Sequence, residues 1–156
     1  MERHACCFLG HRKLPRNKIE SIVKRLHIEM ENLIQEGVTD FLSAGALGFD
    51  LLAAALIAAK KETGSDIRLI FMLPCRKQEE LWNDDEKRLY HHLLQEADET
   101  VYVSDEYDPG CMKKGNRAMV DRADVCVCAL VRRMSGTAQT VDYAQRKGLE
   151  IINVAE

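Results

Sequence analysis

Val38-Thr-Asp-Phe-Leu-Ser-Ala-Gly-Ala-Leu-Gly-Phe-Asp50, running on into the apolar segment Leu51 to Ala59, is the stretch from which the fold is read. Phe41, Leu42 and Ser43 end a short apolar strand, Gly45 and Gly48 bracket a turn, and a helix is predicted from about Leu47 to Glu62, ended by Gly64. Asp50 falls in the first helical turn. A strand that feeds a helix through glycines leaves backbone N–H groups at the helix N-terminus, a common seat for phosphate. The spacing G-x-x-G-x-D is not the G-x-G-x-x-G dinucleotide fingerprint, and glycines at such a turn also serve simply to bring helix and strand together. Both readings of Ser43, Gly45 and Gly48 stay open at this point. The helix is apolar nearly all round, so a second side of it should be covered, by a neighbouring helix or by the same helix of a second subunit in a homodimer.

The same grammar repeats along the chain. Ala5 to Leu9 is a fully apolar strand ending in Gly10-His11-Arg12-Lys13. Ile19, Ile22, Val23, Leu26, Met30, Leu33 and Ile34 recur at three and four residues, an amphipathic helix closed by Gly37. Ile67 to Leu73 is a third strand, stopped by Pro74, and a polar helix with Leu89, Leu93 and Leu94 as its stripe runs to about Ala97. Thr100 to Val103 is a short fourth strand. After the turn-rich Ser104 to Gly110, a helix from Met112 to Arg122 carries Lys113, Lys114, Asn116 and Arg117. Asp124 to Val131 is the most hydrophobic strand and is expected to be central; Arg132 to Thr137 leaves its end, a helix runs to Lys147, and Ile151 to Val154 is the last strand. Continuous apolar strands alternating with helices indicate a parallel sheet covered on both faces. Right-handed crossovers make it doubly wound. The fold class is therefore α/β, with a mainly parallel sheet of about six strands and a single domain over residues 1–156.

Ligands of such sheets bind beyond the carboxyl ends of the strands. Three loops with ligand-like chemistry sit there: Gly10 to Lys13, with a glycine and three potential cations; Ser43 to Asp50; and Arg132 to Thr137. In the third, Ser135 is a good N-cap, Gly136 gives a ligand access to backbone, and Thr137 adds a hydroxyl.

Composition narrows the classes. Of 156 residues 46% are hydrophobic and the net charge is −3, with lysine and arginine spread along the chain, which argues against a nucleic-acid-binding surface. The longest apolar run, about nine residues, is too short to cross a bilayer. The first strand begins almost at once, leaving no signal peptide, so a cytoplasmic protein is expected. The six cysteines include no C-x-x-C and no zinc-like spacing with histidines, and read as small buried hydrophobes. The adjacent His91 and His92 point different ways on a helix, which is poor metal geometry. Neither a metal nor a cofactor is expected.

Taken together, F-L-G-H-R-K-L near the start, S-A-G-A-L-G-F-D, L-P-C-R-K-Q-E-E-L-W, K-K-G-N-R-A-M-V-D-R-A-D and the late S-G-T resemble the YpsA-like family of the SLOG superfamily, which includes the DprA/Smf proteins and the Lonely-guy phosphoribohydrolases. The resemblance covers nearly the whole chain, in order. It implies a Rossmann-like fold that binds a nucleotide or nucleotide derivative at these loops. Lonely-guy enzymes carry P-G-G-x-G-T-x-x-E; aligned on Gly136-Thr137, the glutamate position is Thr140 here. Their helix arginine falls at Gly115. Both catalytic groups are missing, and a hydroxyl does not replace a carboxylate as general base without an activating partner.

Three functions follow as expectations. The first is binding of a nucleotide derivative, as a sensor or regulator, through Gly10, His11, Arg12, Ser43, Gly45, Gly48, Asp50, Trp82, Asn116, Ser135, Gly136 and Thr137. Asp50 would accept hydrogen bonds from ribose hydroxyls, or act structurally by favouring the helix N-terminus; Trp82 would stack on a base or serve as core. The second is a hydrolase of an N-glycosidic bond with Asp50 as its acid/base. The third, DNA processing by analogy to DprA, is weakest, because no basic stripe with interleaved aromatics is present.

Overall fold

A computed structural model describes residues 3–156. The apolar runs form six strands, β1 (Ala5–Gly10), β2 (Asp40–Ser43), β3 (Arg68–Leu73), β4 (Glu99–Tyr102), β5 (Val125–Ala129) and β6 (Glu150–Asn153). Between them lie α1 (Ile19–Glu36), α2 (Phe49–Glu62), α3 (Asp84–Glu96), α4 (Cys111–Arg122) and α5 (Gly136–Arg146). The sheet is wholly parallel, in the order β4-β3-β2-β1-β5-β6. The fold is the doubly wound Rossmann-like α/β architecture expected from the sequence.

Winding starts at β1 and moves outward through β2, β3 and β4. Helix α4 then returns the chain across the other face to β5, on the opposite side of β1. The strand order reverses between β1 and β5, which is where such folds open a crevice. Two apolar layers result. Helices α1, α2 and α3 pack one face through Ile22, Leu26, Ile57 and Tyr90; α4 and α5 pack the other through Met119, Val120, Val141 and Ala144. Strand β5 is fully buried but not central. It lies between β1 and β6, and β2 and β1 form the middle pair. Hydrophobicity reported two covered faces, which every interior strand shares.

The apolar all-round helix α2 is explained in part within the chain. It occupies the middle of its layer, with Phe49, Ala53, Ala54 and Ile57 wholly buried. It packs against α3 on one side, and Lys60 pairs with Glu31 of α1 on the other. Neighbouring helices thus cover part of its second side, and Leu52, Ala55 and Leu56 stay half-buried. All six cysteines are buried free thiols. One signal in the sequence went unread: Asn83 and Glu86 form a reciprocal capping box that starts α3 at Asp84.

The first turn of α2 lies unusually close to the end of β1. A Cβ on Gly10 would collide with the side chain of Phe49, and one on Gly48 with the backbone carbonyls of His11 and Arg12. Gly48 also has φ +88°, a region costly for other residues. Gly48→Ala therefore combines backbone strain with a clash against backbone that cannot rotate away. It is expected to lose about 3 kcal/mol or more of unfolding free energy in urea titration. Gly148→Ala, at φ +89° but in open space, should lose only about 1 kcal/mol. Equal losses at the two sites would mean that close approach is not what Gly48 provides.

Candidate functional site

A cavity of about 480 Å³ opens at the carboxyl end of the sheet, over the point where strand order reverses. This is the size of an ordinary small-molecule site. Gly10, His11, Arg12, Asp50, Trp82, Asn116, Ser135, Gly136 and Thr137 all line it. Arg132, the first residue of the third expected loop, lines it too, and residues that sequence reasoning missed join them: Cys75 and Gln78 after β3, Tyr107 before α4, and Met112 on α4. Cys75 and Gln78 belong to the L-P-C-R-K-Q stretch that carries part of the family resemblance; Tyr107 and Met112 carry no local signal.

Ser43, Gly45 and Gly48 do not line the cavity, which corrects their assignment as ligand residues. Ser43 is fully buried; its hydroxyl donates to the carbonyl of Asp50 at 3.0 Å and accepts from the N–H of Gly45 at 3.1 Å. Gly45, at φ +71°, makes room for Leu73 and Tyr90. The N-terminus of α2 is likewise occupied from within: the N–H of Phe49 donates to the carbonyl of His11 at 3.2 Å. The phosphate seat expected there is closed by the protein's own backbone.

The N-terminus of α5 is different. Ser135 caps it, accepting from the N–H of Ala138 at 3.0 Å and donating to the carbonyl of Arg132 at 2.8 Å. Gly136 faces open space, with no atom within 4 Å of where a Cβ would stand. The exposed first turn of a helix presents N–H groups and a partial positive charge. Arg12 and Arg132 share the cavity wall.

His11 joins the two sides of the crevice. Its Nε2 accepts from the N–H groups of Val131 and Arg132 at 2.9 and 3.0 Å. That role needs the neutral ring, and burial together with the nearby Arg132 guanidinium lowers its pKa below the usual histidine value. Among three potential cations in the first loop, this one is a neutral acceptor. Thr137 adds a second tie, donating to the carbonyl of Gly10 at 3.1 Å. Trp82 is almost buried, edge-on to Tyr90 at 5.1 Å between centroids, so it is both core and cavity wall.

Among the described residues Asp50 is the one carboxylic acid in the wall. It is buried, and its Oδ1 has no hydrogen-bond partner. Burial raises its pKa to about 8, against the opposing pull of the backbone groups of Gly10 and Ala46. Near neutral pH the group is thus mostly a carboxylic acid rather than a carboxylate. No cluster of histidine, cysteine and acidic residues suited to a metal ion occurs among the described residues. None of the described helices is long and apolar enough to cross a membrane.

With this geometry in hand, comparison with known proteins is informative. Residues 7–150 match the family model described as the YspA SLOG family. The chain belongs to that family. A prophage-derived uncharacterized protein of Bacillus subtilis, YoqJ, is 28% identical over 79% of each chain. A UPF0398 protein of Bacillus cereus is 26% identical over 83% of this chain and 72% of its own. Among solved structures, DNA processing protein A of Streptococcus pneumoniae aligns over 96% of this chain with TM-score 0.63 and 18% identity. The homologous protein of Helicobacter pylori, whose structure concerns single-stranded DNA binding, gives TM-score 0.65 at 15% identity. This chain spans 49% and 64% of those two chains. At such identities the likeness establishes the fold alone.

The buried acid has a measurable consequence. Between its unfolded pKa near 3.8 and its folded value of about 8, the folded chain holds a proton that the unfolded chain has released. Stability therefore falls as pH rises from 4 to 8 and levels off above. The full difference corresponds to at most about 6 kcal/mol. Asp50→Asn removes the charge and should be more stable than the parent at pH 8, by a few kcal/mol. The gain should vanish near pH 4, as read by urea unfolding at each pH. A gain independent of pH would refute burial of a titrating acid.

Proposed function

We propose that the cavity binds a nucleotide or nucleotide derivative, with its phosphate at the N-terminus of α5 and its ribose against Asp50. One observation supports this most: an unobstructed helix N-terminus at Gly136 and a buried, unpartnered Asp50 oxygen share one cavity. A phosphate takes the N–H groups of the first turn, with Arg12 and Arg132 alongside. A sugar hydroxyl pairs with Asp50, which supplies an acceptor oxygen and, when protonated, a donor. The apolar wall of Trp82 and Met112 and the exposed ring of Tyr107 suit a base. On this reading the protein is a cytoplasmic sensor or regulator that reports a nucleotide level.

A second reading, hydrolysis of an N-glycosidic bond, is supported by the raised pKa of Asp50. A carboxyl that titrates close to neutrality can give a proton to a departing base or take one from the attacking water. Its proximity to other acid/base groups is limited: His11 Nε2 is engaged by two backbone donors.

A thermal-shift and calorimetric screen against AMP, ADP, ADP-ribose and nicotinamide dinucleotide tests both. Gly136→Val should abolish ligand-induced stabilisation while the unliganded melting temperature changes little. For Asp50→Asn, ribose binding predicts an affinity loss on the order of 1–3 kcal/mol. A catalytic role instead predicts near-normal binding with turnover reduced roughly 10²–10⁴-fold. Normal nucleotide binding by Gly136→Val would reduce the α5 N-terminus to an ordinary helix cap.

A further inference from the structure

Beside the main cavity lies a smaller cleft of about 200 Å³ between α4 and α5. The two share Met112, Asn116 and Gly136 in their walls, so they meet at the open N-terminus of α5. Lys113 and Arg117 stand one helical turn apart on α4, and with Asn116 form a single i, i+3, i+4 face over the cleft. Gln139 of α5 faces them, and no carboxylate among the described residues lines the cleft.

The charges here are uncommitted. At the other end of the sheet several cations are paired: Arg122 grips Glu99 through two contacts of 2.7 and 2.8 Å, Lys61 meets Asp98 at 2.6 Å, and Arg68 lies between Asp40 and Glu99. Among the described residues, Lys113 and Arg117 form no ion pair, and the amide of Asn116 has no hydrogen-bond partner. Arg117 is instead held over the ring of Tyr143, 4.7 Å from its centroid, which orders the guanidinium without neutralising it. Two cations without a carboxylate partner and two side-chain amides around a small cleft suit a compact anion.

We propose that this cleft is a second anion subsite, and that the ligand of the main cavity carries two adjoining phosphate-type groups, one at Gly136 and one between Lys113 and Arg117. This rests on the nucleotide reading above and sharpens it to diphosphate-bearing ligands, nucleoside diphosphates or pyrophosphate-bridged derivatives. Bridging the shared wall, a diphosphate would use both charge sets at once. A monophosphate would use one.

The test is calorimetric titration of the full chain with inorganic pyrophosphate, inorganic phosphate, ADP and AMP at fixed ionic strength. Pyrophosphate should bind at least tenfold more tightly than phosphate, and ADP at least tenfold more tightly than AMP. In Lys113→Gln/Arg117→Gln both preferences should shrink to about twofold, with AMP affinity unchanged. Lys114→Gln removes a like charge from the same helix outside the cleft and should leave both preferences intact; an equal loss there would make the effect one of net charge and overturn the subsite. Preferences that survive in the double variant overturn it too. Tight AMP binding with no gain for ADP would overturn the subsite and spare the nucleotide reading. Pyrophosphate preference abolished by the double variant, without AMP or ADP binding, would keep the subsite and sink the nucleotide reading. Absence of binding by all four removes both.

Discussion

The close approach of α2 to the end of β1 governs the rest of the molecule. It exists because Gly10 and Gly48 have no side chains where Phe49 and the His11–Arg12 backbone must pass. Once that contact is made, three consequences follow. The Phe49 N–H is taken up by the His11 carbonyl, so the N-terminus of α2 closes. Asp50, the next residue, is carried under the loop and desolvated. The loop after β1 is also held so that His11 reaches across to the two N–H groups after β5. The open helix end at Gly136 is left as the place where backbone donors remain free.

The arrangement divides the work of the two glycine-bearing turns. Both sit where a doubly wound sheet offers anion sites, and both begin helices. One has been filled by packing and the other by nothing. The filled one still shapes the cavity, because its buried acid is left with an unpartnered oxygen. An unsatisfied buried polar atom costs roughly 1–3 kcal/mol, and such costs concentrate where a ligand later supplies the missing partner. The charge distribution has the same polarity. Carboxylates neutralise Arg68, Arg122 and Lys61 at the amino end of the sheet, whereas Arg12, Arg132, Lys113 and Arg117 at the carboxyl end are unpaired among the described residues.

Much of this was legible in the sequence, for definable reasons. Parallel strands buried on both faces read as unbroken apolar runs, and the helix stripes and glycine stops mark their own ends, so the architecture could be read element by element. The loops with site chemistry were also legible, because topology places every strand's carboxyl end on one side. What could not be read was which polar group faces the cavity and which faces the protein. Ser43 and Ser135 look alike in sequence; one is locked between Asp50 and Gly45, the other caps an open helix. His11 looks like a cation beside Arg12 and Lys13, and only its distance to two backbone donors makes it a neutral acceptor. Cations spread evenly along the chain became a one-sided set only when pairing removed the others.

The positions that carry catalysis in Lonely-guy enzymes have structural work in this chain. Thr140 is buried, and its hydroxyl donates to the carbonyl of Gly136 at 3.1 Å inside its own helix. Gly115 lies against Pro74, where a Cβ would come within 3.0 Å of the Pro74 Cα. An arginine at that position would have to displace the end of β3. At Gly115 a single exchange therefore does not restore the arginine, because the strand end stands in its way. That leaves Asp50 as the carboxyl in the cavity wall among the described residues, with no second carboxyl beside it and with His11 already engaged by two backbone donors. General acid–base hydrolysis usually divides its two proton transfers between two groups. The hydroxyl of the proposed ligand would satisfy the free oxygen of Asp50, whereas hydrolysis would have to draw its second proton transfer from a group other than a carboxyl.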